Sequence, residues 1–144
     1  MKILSLYEWF IGSQNSFVNQ YRGNEALYNQ ARAYWSKLDG NSMWLLIFFL
    51  LLGLGMVWGY YQPYNTRPGR HYTLKHWTRF LGVTFVLAFT ITWLFLYYFV
   101  SSNLDVTMLR LMLALGNAIY TSVLYFLLSV IWCKFLPTNA YRFV

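Results

Sequence analysis

The chain has 144 residues, of which 58% are hydrophobic, 22% aromatic and only 10% charged, and its formal net charge is +7. Because an ordinary soluble domain has about 25% charged residues, these side chains carry too little charge to cover a water-facing surface. The composition therefore excludes an ordinary soluble monomer and predicts a single membrane-embedded unit.

The first 41 residues are predicted to form an amphipathic N-terminal region. Between Asn24 and Gly40, apolar residues recur with the spacing of one helix face. These residues are Leu27, Tyr28, Ala31, Tyr34, Trp35 and Leu38. A shorter apolar helix is predicted for residues 3–11, and Glu8 within it argues against a cleaved signal peptide. With little soluble mass to pack on, both helices are expected in the membrane interface or against neighbouring subunits.

Residues 42–136 contain three apolar runs, at about 43–61, 80–100 and 110–133. Each has about the 20 residues that a helix needs to cross a bilayer, and aromatic residues such as Trp44 and Trp58 mark their ends. None alternates strictly like a barrel strand, so helices satisfy the backbone best. We predict an all-α integral membrane protein with three transmembrane helices, a preceding amphipathic region and a short tail, residues 137–144.

The distribution of Lys and Arg beside these spans predicts the orientation. The connection after the first span and the C-terminal tail together carry Arg67, Arg70, Lys75, Arg79, Lys134 and Arg142. The opposite side carries Arg32, Lys37 and Arg110 near a span, and Lys2 and Arg22 further away. Since positive residues favour the cytoplasmic side, we expect the N-terminus outside and the C-terminus inside an inner or plasma membrane.

The positive charges also predict the partners of the chain. Arg67, Arg70, Lys75 and Arg79 lie beside spans, where anionic lipid headgroups attract them, or where an acidic partner protein could dock. Lipid contact explains the net charge, so no nucleic acid is predicted as a partner.

Residues that could carry catalysis or hold a metal are few. His71 and His76 have an H-x4-H spacing that resembles one histidine box of the membrane di-iron desaturases and hydroxylases. That family needs several further histidines, and this sequence has only two. The single cysteine, Cys133, lacks a histidine in its own segment to act as a base. We therefore predict no enzyme activity, no catalytic residue, no metal and no cofactor.

Small residues on the first two spans predict helix contacts. Gly55 and Gly59 form a G-x-x-x-G step, which removes side chains from one helix face and lets another backbone approach closely. Thr84, Ala88 and Thr92 repeat the same spacing on the second span. In lipid, such faces are where helices are expected to associate.

The third span gathers nearly all its small and polar residues on one face, which we call the polar stripe. At 100° per residue, its members fall within a sector of about 140°. They are Arg110, Ala114, Asn117, Ala118, Thr121, Ser122, Tyr125 and Ser129. Because Asn and Arg are expensive against hydrocarbon, the stripe must face protein or water.

Two interpretations of the polar stripe follow. In the first, the stripe hydrogen-bonds to neighbouring helices, within the chain or across a homo-oligomer. In the second, several copies arrange their third spans around an aqueous pore with Arg110 as a positive ring at its mouth. We favour a non-catalytic multi-pass protein that self-associates or forms the membrane-embedded subunit of a larger complex. The alternative is a homo-oligomeric channel or membrane-permeabilising effector.

Overall fold

A computed structural model describes residues 3–65 and 74–136, which are helical with no strand among them. A 3₁₀ helix, Ile3–Tyr7, runs into α1, Glu8–Ile11, and α2 follows at Gln14–Asn19. The longer helices are α3, Glu25–Gly40; α4, Ser42–Gly59; α5, Leu74–Phe99; and α6, Thr107–Phe135. A π-helical turn, Tyr60–Tyr64, continues α4.

Three of these helices are long and apolar enough to cross a membrane, as the sequence predicts. They have 23, 26 and 29 residues when the π-helical turn is counted with α4. At about 1.5 Å per residue, each exceeds the roughly 30 Å of a hydrocarbon layer. The second helix begins at Leu74, earlier than the predicted residue 80, and so includes Lys75 and Arg79. Charged residues ended the predicted apolar run, but a helix can continue past the hydrocarbon edge.

The core of the bundle forms two clusters at its opposite ends. The N-terminal helices cover one end of the bundle, which we call the capped end. The cluster there contains Leu45 of α4, Leu96 of α5 and Leu113 of α6. We call the opposite end, where α4 ends and α5 begins, the open end. Its cluster is centred on Tyr60 and Trp77. Among the described residues, those of 3–40 join only the cluster at the capped end.

The N-terminal region packs on its own chain, and this packing covers most of the apolar face that the sequence predicted to meet neighbouring subunits or the membrane interface. The position of the region in the membrane interface stays a prediction. Of the predicted face of α3, Ala31, Tyr34, Trp35 and Leu38 are buried in the cluster at the capped end. The Asn24 side chain accepts from two backbone amides of α3 and fixes where that helix begins. Most of the apolar face predicted as a docking surface is therefore covered within the protomer, and Leu27 remains 38% exposed.

Candidate functional site

The polar stripe of α6 is buried inside the three-helix bundle. Ala114, Asn117, Ala118, Thr121 and Tyr125 have no exposed surface. Ser129 is equally buried, Arg110 is 9% exposed and Ser122 is partly buried. Of the two interpretations of the stripe, this geometry matches packing within the chain.

Asn117 holds three parts of the fold together at the centre of the stripe. Its side-chain Nδ2 donates to Thr92 Oγ1 of α5 at 2.8 Å. Its Oδ1 accepts from the Tyr7 hydroxyl of the N-terminal 3₁₀ helix at 2.7 Å. Burial raises the pKa of Tyr7, so this phenol stays protonated and remains a donor. The amide thus uses both its donor and its acceptor on long-range partners.

The segment around Tyr7 docks closely against α6. A Cβ added at Gly116 would lie 2.9 Å from the ring of Phe10, so the missing side chain makes room for that ring. The Tyr120 hydroxyl donates to the backbone carbonyl of Leu6. The sequence contains no motif that singles out Tyr7 or Gly116. The one available signal is the four-residue spacing of Gly116 and Tyr120, which places these two residues side by side on α6.

Arg110 caps the C-terminal end of α5. Its Nη2 donates to the Val100 carbonyl at 3.3 Å, and its guanidinium lies 5.8 Å from the centroid of the Tyr97 ring. Lys37 Nζ donates to the next carbonyl, Ser101, at 3.4 Å. Cations are favourable there because the last carbonyls of a helix lack partners and carry partial negative charge. In this arrangement Arg110 stabilises the end of α5. The pore interpretation of the sequence had placed the same residue at a pore mouth.

Beside Arg110, the turn between α5 and α6 is held by Asp105. Its Oδ1 accepts from the Thr107 amide at 3.2 Å at the start of α6. Hydrogen bonds from Thr107 lower the pKa of this exposed carboxyl below its usual value. The carboxylate therefore stabilises the first turn of α6.

At the open end, hydrogen bonds link all three long helices. Trp77 Nε1 of α5 donates to Ser129 Oγ of the stripe at 3.2 Å. The Tyr61 hydroxyl and Cys133 Sγ lie 3.3 Å apart, which joins the π-helical turn to the end of α6. Trp77 precedes residue 80, where the second span was predicted to begin, yet it is buried three residues inside α5.

The small residues predicted on α5 face α6 within the same chain. Thr84, Ala88 and Thr92 have no exposed surface. Thr84 Oγ1 donates to the Phe80 carbonyl of its own helix, so its hydroxyl is satisfied without a partner helix. Thr92 alone of the three joins the network of Asn117.

The glycines of α4 divide between two faces. Gly53, which the G-x-x-x-G pattern does not include, is where α4 meets α6, because an added Cβ would lie 2.5 Å from Leu124 Cδ2. Gly55 and Gly59 have no atom within 4 Å of an added Cβ. The predicted motif therefore makes no helix contact inside the described part of the chain, and it stays a prediction for contact with another molecule.

Of the four predicted headgroup contacts, the structure describes two, and both lie at the open end. Lys75 and Arg79 are exposed near the start of α5. Arg67, Arg70 and His71 lie outside the described residues. His76 Nδ1 and the Tyr64 hydroxyl are 2.6 Å apart. Within residues 3–65 and 74–136, no three His, Cys, Asp or Glu side chains are grouped closely enough to hold a metal ion.

These contacts define a helical bundle in which Asn117 and Ser129 of the polar stripe hydrogen-bond to other elements of the same chain. No known protein family, curated protein or solved structure matches this chain.

Proposed function

We propose that this chain is a non-catalytic multi-pass membrane protein that associates with a second copy of itself or with a membrane partner through the outer face of α4. The support comes from the two faces of that helix. Gly53 packs on Leu124 within the chain, while Gly55 and Gly59 lie about 200° and 240° around the helix at 100° per residue.

The outer face of α4 combines open glycines with large apolar side chains. Leu51, Leu54 and Trp58 beside them are 65%, 52% and 59% exposed. The glycines would let a partner backbone approach, and the neighbouring side chains would pack around it, as in small-residue interfaces of membrane helices. This uncovered glycine face is the observation that carries the proposal.

The hydrogen bonds of the polar stripe favour assembly through the outer face of α4 and disfavour a pore lined by α6. To line a pore, Asn117 and Ser129 would have to leave Thr92, Tyr7 and Trp77, and each abandoned buried hydrogen bond costs about 1–3 kcal/mol. The charge pattern supports an orientation with the capped end outside and the open end in the cytoplasm.

Disulfide trapping tests the proposed face. In a Cys133→Ser background, Gly55→Cys should form a disulfide with the same cysteine of a second copy when membranes are oxidised, which gives a covalent dimer. Val123→Cys is the matched control, because Val123 is 49% exposed on α6 and faces away from the stripe. Trapping through Val123→Cys at the same yield, or none through Gly55→Cys, would refute self-association through this face.

A further inference from the structure

The acidic residues of this sequence lie on one side of the bundle. All four belong to the N-terminal helices or to the turn before α6: Glu8, Glu25, Asp39 and Asp105. The connection between α4 and α5 and the chain around and after Lys134 contain cations and no carboxylate. No Asp or Glu of this sequence therefore lies in the segments that carry the cations at the open end, so these cations are available to an anionic ligand.

A shallow, open groove lies on the outer face of α5 beside Arg79, and its described lining comes from this one helix. It has a volume of about 620 Å³ and is lined by Arg79, Gly82, Val83, Val86 and Leu87. Val83 and Val86 are 50% and 60% exposed, and an added Cβ at Gly82 would meet nothing within 4 Å. Gly82 therefore leaves a notch in an otherwise apolar surface directly below a guanidinium.

The spacing of these residues matches one leaflet of a bilayer. Lys75 and Arg79 are four residues apart and so share the same face of α5. From Arg79 to Leu87 the helix rises about 12 Å, at 1.5 Å per residue. Half of a hydrocarbon layer is about 15 Å thick, so the apolar groove lies at acyl-chain depth when the two cations lie at headgroup depth.

We propose that this groove binds one anionic phospholipid, with its phosphate on Arg79 and Lys75 and an acyl chain over Gly82 between Val83 and Val86. An acidic protein would satisfy the cations but not the apolar groove below them, whereas a phospholipid matches both. The site rests on the proposed membrane insertion and is independent of the glycine face of α4.

Native mass spectrometry of the full chain in mild detergent tests this site. The probes are phosphatidylglycerol and phosphatidylcholine, added at equal concentration. We expect a preference for phosphatidylglycerol that Arg79→Gln reduces about fivefold, the loss expected for one interfacial cation. Lys134→Gln is the matched control, since Lys134 is exposed at the same end but lies on α6. It should leave the preference unchanged.

Gly82→Leu separates a groove from simple charge attraction, because it fills the notch and keeps both cations. We expect it to weaken phosphatidylglycerol retention without loss of helical circular dichroism. Equal binding of the two lipids, an equal loss in Lys134→Gln, or full retention in Gly82→Leu would each overturn the site. A dimer that Gly82→Leu abolishes would also overturn the site, because a second copy of the chain would then occupy the groove in place of a lipid. Carbonate extraction of membranes tests insertion separately, so an inserted protein without lipid preference would refute this site alone.

Discussion

Asn117 of α6 donates a 2.8 Å hydrogen bond to Thr92 of α5, and both side chains are fully buried. The same amide accepts from Tyr7, so one side chain connects two long helices to the N-terminal segment. In an apolar interior, an unpaired polar group costs more than a satisfied one gains. The network therefore favours one arrangement of these three elements over others with the same apolar surfaces.

Asn117→Ala should destabilise the bundle, because it leaves the hydroxyls of Tyr7 and Thr92 buried without this partner. We expect the free energy of unfolding in detergent to fall by about 1–3 kcal/mol. Ser122→Ala is the control, because Ser122 Oγ donates to the Ala118 carbonyl of its own helix. A loss no larger than that of Ser122→Ala would contradict the role of the network.

A double-mutant cycle isolates the contact between Asn117 and Tyr7. Because Tyr7→Phe removes only the hydroxyl, the cost of Asn117→Ala should be smaller when Phe already stands at position 7. The expected coupling is about 0.6–1.7 kcal/mol, the range for hydrogen bonds between membrane helices. Additive costs, measured by the same unfolding titration, would show that the two side chains act independently.

The sequence predicted the three long helices because their signal is local. Apolar length and aromatic ends located α4, α5 and α6 to within a few residues, except at the start of α5, where Lys75 and Arg79 hid a helix that extends beyond the apolar run. The apolar face of α3 was also predicted from its spacing. The residues that cover that face of α3 were not predicted, because they come from other parts of the chain.

The same distinction explains the candidate site. Helical spacing predicted that Asn117 and Ser129 share a face, and that Thr84, Ala88 and Thr92 share another. Helical spacing could not predict that Tyr7 hydrogen-bonds to Asn117 or that Trp77 hydrogen-bonds to Ser129. The G-x-x-x-G pattern marks Gly55 and Gly59, yet Gly53 packs on α6, because the face that meets a neighbour depends on the position of that neighbour.

Gly53→Ala tests the close approach of α4 and α6. An added Cβ would lie 2.5 Å from Leu124 Cδ2 and 3.0 Å from its Cγ, so the whole leucine would have to move. Overpacking of this kind costs about 1–3 kcal/mol, which a thermal or detergent unfolding titration should detect. Leu124→Ala in the same chain should recover part of the loss, and no recovery would mean that the strain lies elsewhere.

Gly55→Ala is the counterpart of that variant on the opposite face of α4. Because the added Cβ meets nothing within 4 Å and alanine favours a helix by about 0.5–1 kcal/mol over glycine, the stability of the monomer should not fall. Association should weaken instead, measured as loss of energy transfer between labelled copies or loss of a co-purified partner. A destabilised monomer would show that Gly55 faces its own bundle.

Thiol accessibility distinguishes a buried stripe from a water-lined one. In a Cys133→Ser background, Ser129→Cys should react with a charged, membrane-impermeant thiol reagent much more slowly than Ser101→Cys. The two exchanges are chemically identical, but Ser129 is fully buried while Ser101 is exposed at the capped end. Applying the reagent to both sides of reconstituted vesicles removes any effect of orientation. Comparable rates would place water along α6 and restore the pore interpretation.

Gly116→Val should detach the N-terminal segment while leaving the three long helices paired. A Cβ at position 116 would lie 2.9 Å from Phe10 Cδ2 and 3.1 Å from its Cγ, and valine adds two further methyl groups. Hydrogen–deuterium exchange should rise in residues 3–11 and remain slow in the middle of α5 and α6, since local segments can open without global unfolding. Ile119→Ala, on the exposed side of α6, should change neither. If exchange rises equally throughout the bundle, the segment is part of its cooperative core, because the N-terminal helices and the spans then open together.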